Sequence, residues 1–90
     1  MLLLKERRAE KRLNVNLPVT YTYSIDHETI TGKSSTHDLS DSGLSFYVNI
    51  PLKKDFNLQV DLDHIWDAPK DSRIKWCLKQ HNQYKVGIAF

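Results

Sequence analysis

The sequence predicts an all-β domain built as a six-stranded antiparallel barrel. Apolar and polar residues alternate in six short runs, polar or proline-containing breaks separate those runs at near-regular spacing, and no run has the three-and-four spacing of an amphipathic helix. Ninety residues suffice for one small domain, which buries only about 60% of the surface its unfolded chain exposes. A closed barrel is expected over an open sheet because closure removes unpaired edges.

Two units are expected, residues 1–12 as a basic arm and residues 13–90 as the barrel. The arm has no sustained helical apolar spacing, and its charge density makes an isolated helix of that length unstable, so a flexible segment is expected. Residues 5–12 carry five positive and two negative side chains, a local +3 in a chain of net +2, which leaves the remainder at −1. Charge gathered in so short an arm suits a small anionic partner or a local phosphate contact rather than the coating of long nucleic acid. A solvated leader is the alternative. Leu2, Leu3 and Leu4 are followed at once by Lys5, a run too short for a signal peptide or a membrane span. The single cysteine, Cys77, excludes an internal disulfide and a paired-cysteine metal site, and it fits a reducing compartment. A cytoplasmic domain without a membrane span follows.

The first strand is expected over residues 13–23, with Val15, Leu17, Val19, Tyr21 and Tyr23 on one face and Pro18 marking an edge or bulge. Residues 24–28 make a turn, and the Thr- and Ser-rich residues 29–36 return as a more polar strand. In the third strand Leu44, Phe46 and Val48 alternate with Ser45, Tyr47 and Asn49, and Pro51 with Lys53, Lys54 and Asp55 closes it. The fourth sets Phe56, Leu58, Val60 and Leu62 against Asn57, Gln59 and Asp61. Residues 63–71 form a polar connection; Ile74, Trp76 and Leu78 then share a face, opposite Arg73, Lys75 and Cys77. Residues 80–83 turn into a last strand over residues 84–90, and Gly32 and Gly87 mark bends or close approaches.

The stretch Asp38-Leu39-Ser40-Asp41-Ser42-Gly43 interrupts two strands with turn chemistry: Asp and Ser bond their own backbone, and Gly supplies a positive φ. Catalytic readings fare poorly. Asp61, Asp63, His64 and Asp67 match no metal-ligand spacing and read as a solvated acidic loop. His27 and His81 sit in turns, and His37 is expected to point into the barrel wall. Ser40 lies near His37 only in sequence, without an orienting acid. Neither a Walker glycine loop nor a strand-loop-helix unit is present.

Arg8 and Arg12 form an Arg-x-x-x-Arg spacing, and Asp38, Ser40 and Gly43 an Asp-x-Ser-x-x-Gly spacing about two strands later. In that order, on this strand pattern, the pair resembles the PilZ family of cyclic di-GMP receptor domains. The resemblance covers nearly the whole chain: residues 15–23 look like the family's first strand, Gly43-Leu44-Ser45-Phe46 like the strand leaving the motif, and Val86-Gly87-Ile88-Ala89-Phe90 like its closing strand. Two departures stand out. His37 occupies a position usually apolar, and the chain stops at Phe90 where many members continue into a helix, so one barrel end is expected to be uncovered or covered by another chain.

The resemblance implies a cyclic di-GMP site, and the chemistry agrees. The N1 and N2 hydrogens of guanine form a paired donor edge that fits the Asp38 carboxylate, while O6 and N7 fit an arginine fork. Ser40 shares the Asp38 face and adds a hydroxyl to base, ribose or phosphate, and Gly43 lets the backbone turn closely beneath the ligand. Arg8 and Arg12 have reach and charge for phosphate oxygens and the guanine edge. Arg7 precedes the motif, where an arginine in similar members goes with capture of an intercalated ligand dimer. Trp76 suits either stacking on a guanine or core packing. The expected function is a non-enzymatic sensor or adaptor that needs no cofactor beyond its ligand. Its arm closes over the nucleotide and presents a new surface to a partner protein. The rivals are a PilZ-like interaction module that binds no nucleotide, a short nucleic-acid contact through the arm, and a weak hydrolase at the acidic loop.

Overall fold

The computed structural model describes residues 13–90, which form six strands: β1 (Pro18–Ile25), β2 (Glu28–Leu39), β3 (Gly43–Val48), β4 (Asn57–Leu62), β5 (Lys70–Gln80) and β6 (Gln83–Ala89). Every paired neighbour is antiparallel, and the order β1-β2-β3-β6-β5-β4 closes into a barrel through β1 and β4. Two connections are two-residue hairpins, Asp26-His27 between β1 and β2 and His81-Asn82 between β5 and β6. Both residues of the first have positive φ, 52° and 69°, the backbone state that matches so tight a turn to the right-handed strand twist.

Period-two alternation aims one face of each strand inward. Val19, Tyr21 and Tyr23 from β1 join Leu44, Phe46, Val48, Leu58, Val60, Leu62, Ile74, Val86 and Ile88 in a single core. Each such side chain contributes about 1.5–3 kcal/mol when fully buried. The Tyr21 ring stacks parallel to Tyr23 and tilts against Phe46 at 5.3 Å between centroids. Its cross-strand partner is Gly32, where an added Cβ would stand 2.3 Å from the phenol ring. Gly32 therefore leaves the space that the tyrosine fills. Burial, reinforced by Tyr23, raises the Tyr21 hydroxyl pKa above its ordinary value.

Three boundaries differ from expectation. The β1 ladder begins at Pro18 rather than Leu13, because buried Thr36 supplies side-chain bonds to the preceding residues. Its hydroxyl accepts from Leu17 N at 2.9 Å and donates to the Val15 carbonyl, while its own N–H donates to Leu17 O at 2.9 Å. Leu13 then exchanges two backbone hydrogen bonds with Leu39, 2.8 and 2.9 Å long. The second strand runs on to Leu39, which takes Asp38 and Leu39 out of the expected turn, and the fifth begins at Lys70 and so shortens the acidic connection. Within that connection Asp63 accepts the Thr20 hydroxyl at 2.8 Å and faces Lys33 Nζ at 3.6 Å. Among the described residues no helix is long and apolar enough to cross a membrane.

Candidate ligand-binding site

Two β-bulges build the site. In β2, Thr36 pairs with Phe46 and Asp38 with Ser45, so His37 is an extra residue; in β5, Ile74 pairs with Ile88 and Trp76 with Gly87, so Lys75 is extra. A bulge sets two residues against one and reverses the faces of everything beyond it. The results are the pairs His37–Asp38 and Lys75–Trp76, each opposed to one outward residue. Ser45 also pairs with Gly87, and cross-strand partners share a face. Trp76, Gly87, Ser45 and Asp38 thus form one row across β5, β6, β3 and β2 on the outside of the barrel.

The bulges overturn two expectations. His37 does not enter the wall: it is exposed and stands edge-on to the Tyr47 ring, 6.3 Å between centroids. Trp76 does not share the core face of Ile74. It is 38% exposed while Ile74 is fully buried, and Cys77, paired with Val86, packs against the core instead. The indole lies over Gly87, where an added Cβ would come within 2.3 Å of Cε2. Trp76 therefore lies on the outer face of the barrel rather than in the core.

Beside Trp76 the β2–β3 turn runs from Ser40 to Gly43. Ser40 N donates to Gly43 O at 2.9 Å, the Ser40 hydroxyl donates to the same carbonyl at 3.3 Å, and Phe90 N donates to Ser42 O at 3.0 Å. With its proton directed into the turn, the Ser40 hydroxyl keeps its lone pairs as acceptors. Gly43 departs from its expected role: no described glycine has a positive φ. It is required by contact instead, since an added Cβ would stand 2.0 Å from the Ile88 carbonyl oxygen.

Asp38, Ser40, Gly43, Ser45, Lys75 and Trp76 all line one cleft. At about 40 Å³ it is far below the ~300–1,000 Å³ of an enclosing small-molecule pocket. The cleft is thus a shallow surface feature that encloses no small molecule by itself. A slot of about 330 Å³ adjoins it at Ser40, lined also by Leu13, Leu39, Trp66, Lys70 and Phe90. Lys70 Nζ sits 4.9 Å from the Trp66 ring centroid and 5.1 Å from that of Phe90, an arrangement favoured by the ring quadrupole. A separate groove of about 970 Å³ lies around Tyr23, Phe56, Asp71 and Arg73 and includes none of the motif residues. Size favours that groove, but convergent polar chemistry favours the cleft.

The structure thus brings Asp38, Ser40, Gly43 and Trp76 together. Arg7, Arg8 and Arg12 lie outside the described residues. Sequence reasoning missed Ser45, a buried hydroxyl that donates to Asp38 Oδ1 at 3.0 Å, and Lys75, whose place at the cleft depends on the bulge. A charge count by segment would have pointed to the second. Residues 70–90 carry five cationic side chains and one acidic, a net +4, whereas residues 13–69 carry three and eight, a net −5. Among the described residues no cluster of three or more metal-ligating side chains is present.

Fold and cleft define a small β-barrel domain with a shallow polar and aromatic site on its outer face. The chain belongs to the PilZ domain family, whose model matches residues 6–90; this is a family of cyclic di-GMP receptor domains, generally non-catalytic. Among solved structures it is similar to YcgR from Escherichia coli, crystallised in complex with c-di-GMP, at a TM-score of 0.68 and 15% identity. That likeness covers 93% of this chain and 38% of the YcgR chain, so this chain spans well under half of that protein's length. No curated protein matches significantly in sequence.

Proposed function

We propose that this domain is a non-catalytic cyclic di-GMP sensor or adaptor in the cytoplasm, and that it takes the nucleotide across the outer cleft between Asp38 and Trp76. Asp38 receives the N1 and N2 hydrogens of one guanine, Trp76 offers an aromatic face to a base, and Ser40 and the Gly43 turn form the near wall. Arg8 and Arg12 cover the phosphates and the O6/N7 edge from the other side, and Arg7 adds a second ligand as an intercalated pair. Ligand-bound, the arm and the cleft present a new composite surface to a partner protein.

The observation that supports this reading most is the double hydrogen bond between Leu13 and Leu39. It fixes the residue following Arg12 beside the residue between Asp38 and Ser40. An arm entering at that point needs no long span to reach the cleft, since a chain extends by up to about 3.5 Å per residue. In this proposal the arm is the further wall over so shallow a site.

Titration calorimetry with cyclic di-GMP tests the proposal. Arg12→Ala and Asp38→Ala each remove a charge-assisted contact worth about 1.5–3 kcal/mol, roughly ten- to a hundredfold in affinity. Unchanged affinity in both variants removes the site. No binding by the unsubstituted protein favours the rival reading, a barrel used only for protein interaction.

A further inference from the structure

We propose that Ser45 is a positioning residue that sets the base selectivity of the cleft by fixing the Asp38 carboxylate. The inference rests on the reading of this cleft as a cyclic di-GMP site and adds to it a residue outside the Asp-x-Ser-x-x-Gly spacing. Three observations carry it. Ser45 Oγ donates to Asp38 Oδ1 at 3.0 Å. Ser45 is 1% exposed although it points to the outer face. And its backbone is clamped in the sheet, paired to Asp38 on one side and to Gly87 on the other.

Asp38 itself lies at a bulge, where the strand bends and the ladder is locally interrupted. A paired-donor contact needs both carboxylate oxygens to meet N1–H and N2–H in one plane. A hydroxyl held on the neighbouring strand, whose β3–β6 ladder is regular, anchors one of those oxygens at a defined position. A carboxylate has about four lone-pair sites, so the bond from Ser45 is compatible with two from a base. The seat of Trp76 on Gly87 belongs to the same row: the groups that present the aromatic face and the carboxylate are set by one register.

A base that lacks one of the paired donors shows the effect. Hypoxanthine keeps N1–H and lacks the N2 amino group, so cyclic di-IMP makes one of the two Asp38 contacts and depends less on the carboxylate plane. The test measures affinities of cyclic di-GMP and cyclic di-IMP by calorimetry for the unsubstituted protein, Ser45→Ala and Ser45→Cys. Ser45→Cys nearly keeps the volume and provides only a weak donor. Ser45→Ala is expected to weaken cyclic di-GMP about tenfold, the size of one charge-assisted hydrogen bond, and cyclic di-IMP by less. The ratio between the two ligands therefore shrinks, with Ser45→Cys between. A loss of folded protein lowers the binding-competent fraction for both ligands equally and leaves the ratio unchanged. An unchanged ratio in both variants overturns the role of Ser45 while leaving the cyclic di-GMP site intact. Absence of cyclic di-GMP binding by the unsubstituted protein overturns both.

Discussion

Replacing Gly87 by alanine tests whether the outward Trp76 is a ligand platform, because it displaces the indole without removing any side chain of the cleft. The new Cβ would lie 2.3 Å from Trp76 Cε2 and 2.5 Å from Cζ2 and Nε1, against an optimal carbon separation of about 3.5–4.0 Å. The indole must withdraw by more than about 1 Å. It is 38% exposed and has room to do so, so the displacement falls on the ring rather than on the β5–β6 ladder. Alanine itself costs less backbone entropy than glycine in a strand, by about 0.5–1 kcal/mol, and the unfolding midpoint should move by only a few degrees. Stacking of a base on an aromatic ring is worth about 1–3 kcal/mol, and a gap of about 0.5–1 Å forfeits a quarter to a half of each contact. Gly87→Ala should then cost about 0.5–1 kcal/mol, two- to fivefold in cyclic di-GMP affinity, and Trp76→Ala the full ~1–3 kcal/mol. Calorimetry measures both, with thermal unfolding as the control. If neither variant changes affinity, Trp76 is no platform; if Gly87→Ala unfolds the domain, the indole seat is structural.

Gly43→Ala differs from Gly87→Ala because the obstructing atom is main-chain, the Ile88 carbonyl oxygen 2.0 Å from the added Cβ, within a paired β3–β6 ladder. Neither strand can withdraw a side chain to relieve the clash, so a loss of about 2–4 kcal/mol in urea unfolding is expected; a midpoint like that of the unsubstituted protein would contradict the contact. The raised Tyr21 pKa predicts an alkaline limb. The fold favours the neutral phenol, so this contribution to stability is complete below the unfolded-state pKa of about 10. It declines as pH climbs from there toward the higher folded value. Tyr21→Phe should flatten that part of the stability–pH curve measured by circular dichroism, and an unaltered slope would assign the limb to other groups.

The six strands were legible because burial imposes a period of two that a short sequence records directly. Val60 and Leu62 on β4, or Val86 and Ile88 on β6, point inward where alternation places them. The first strand is shorter than its apolar alternation implies, for a definable reason. Val15 and Leu17 continue the apolar alternation, but a hydroxyl of Thr36, far along the chain, supplies hydrogen bonds to them in place of a regular ladder. Nothing within residues 13–17 distinguishes those two ways of satisfying a backbone.

The candidate site was legible only in part, and for a related reason. Asp38, Ser40 and Gly43 are readable from spacing, whereas alternation puts Trp76 on the face of Ile74 and singles out neither Ser45 nor Lys75. Each of those three depends on a bulge. Alternation carried through Ile74 puts Trp76 and Leu78 in the core, and the extra Lys75 sends both outward: Leu78 is 55% exposed and pairs with Lys85. The same reversal at His37 keeps Thr36 buried and Asp38 on the outer face. A regular barrel of this sequence would carry His37 or Asp38, and Lys75 or Trp76, on the right face but not both members of each pair. The two irregular positions are the ones that assemble a carboxylate, a cation and an aromatic ring on a single outer row. Side-chain periodicity identifies a strand by its regular part, so the residues that depart from the period, and with them the cleft, become readable only once the register is known.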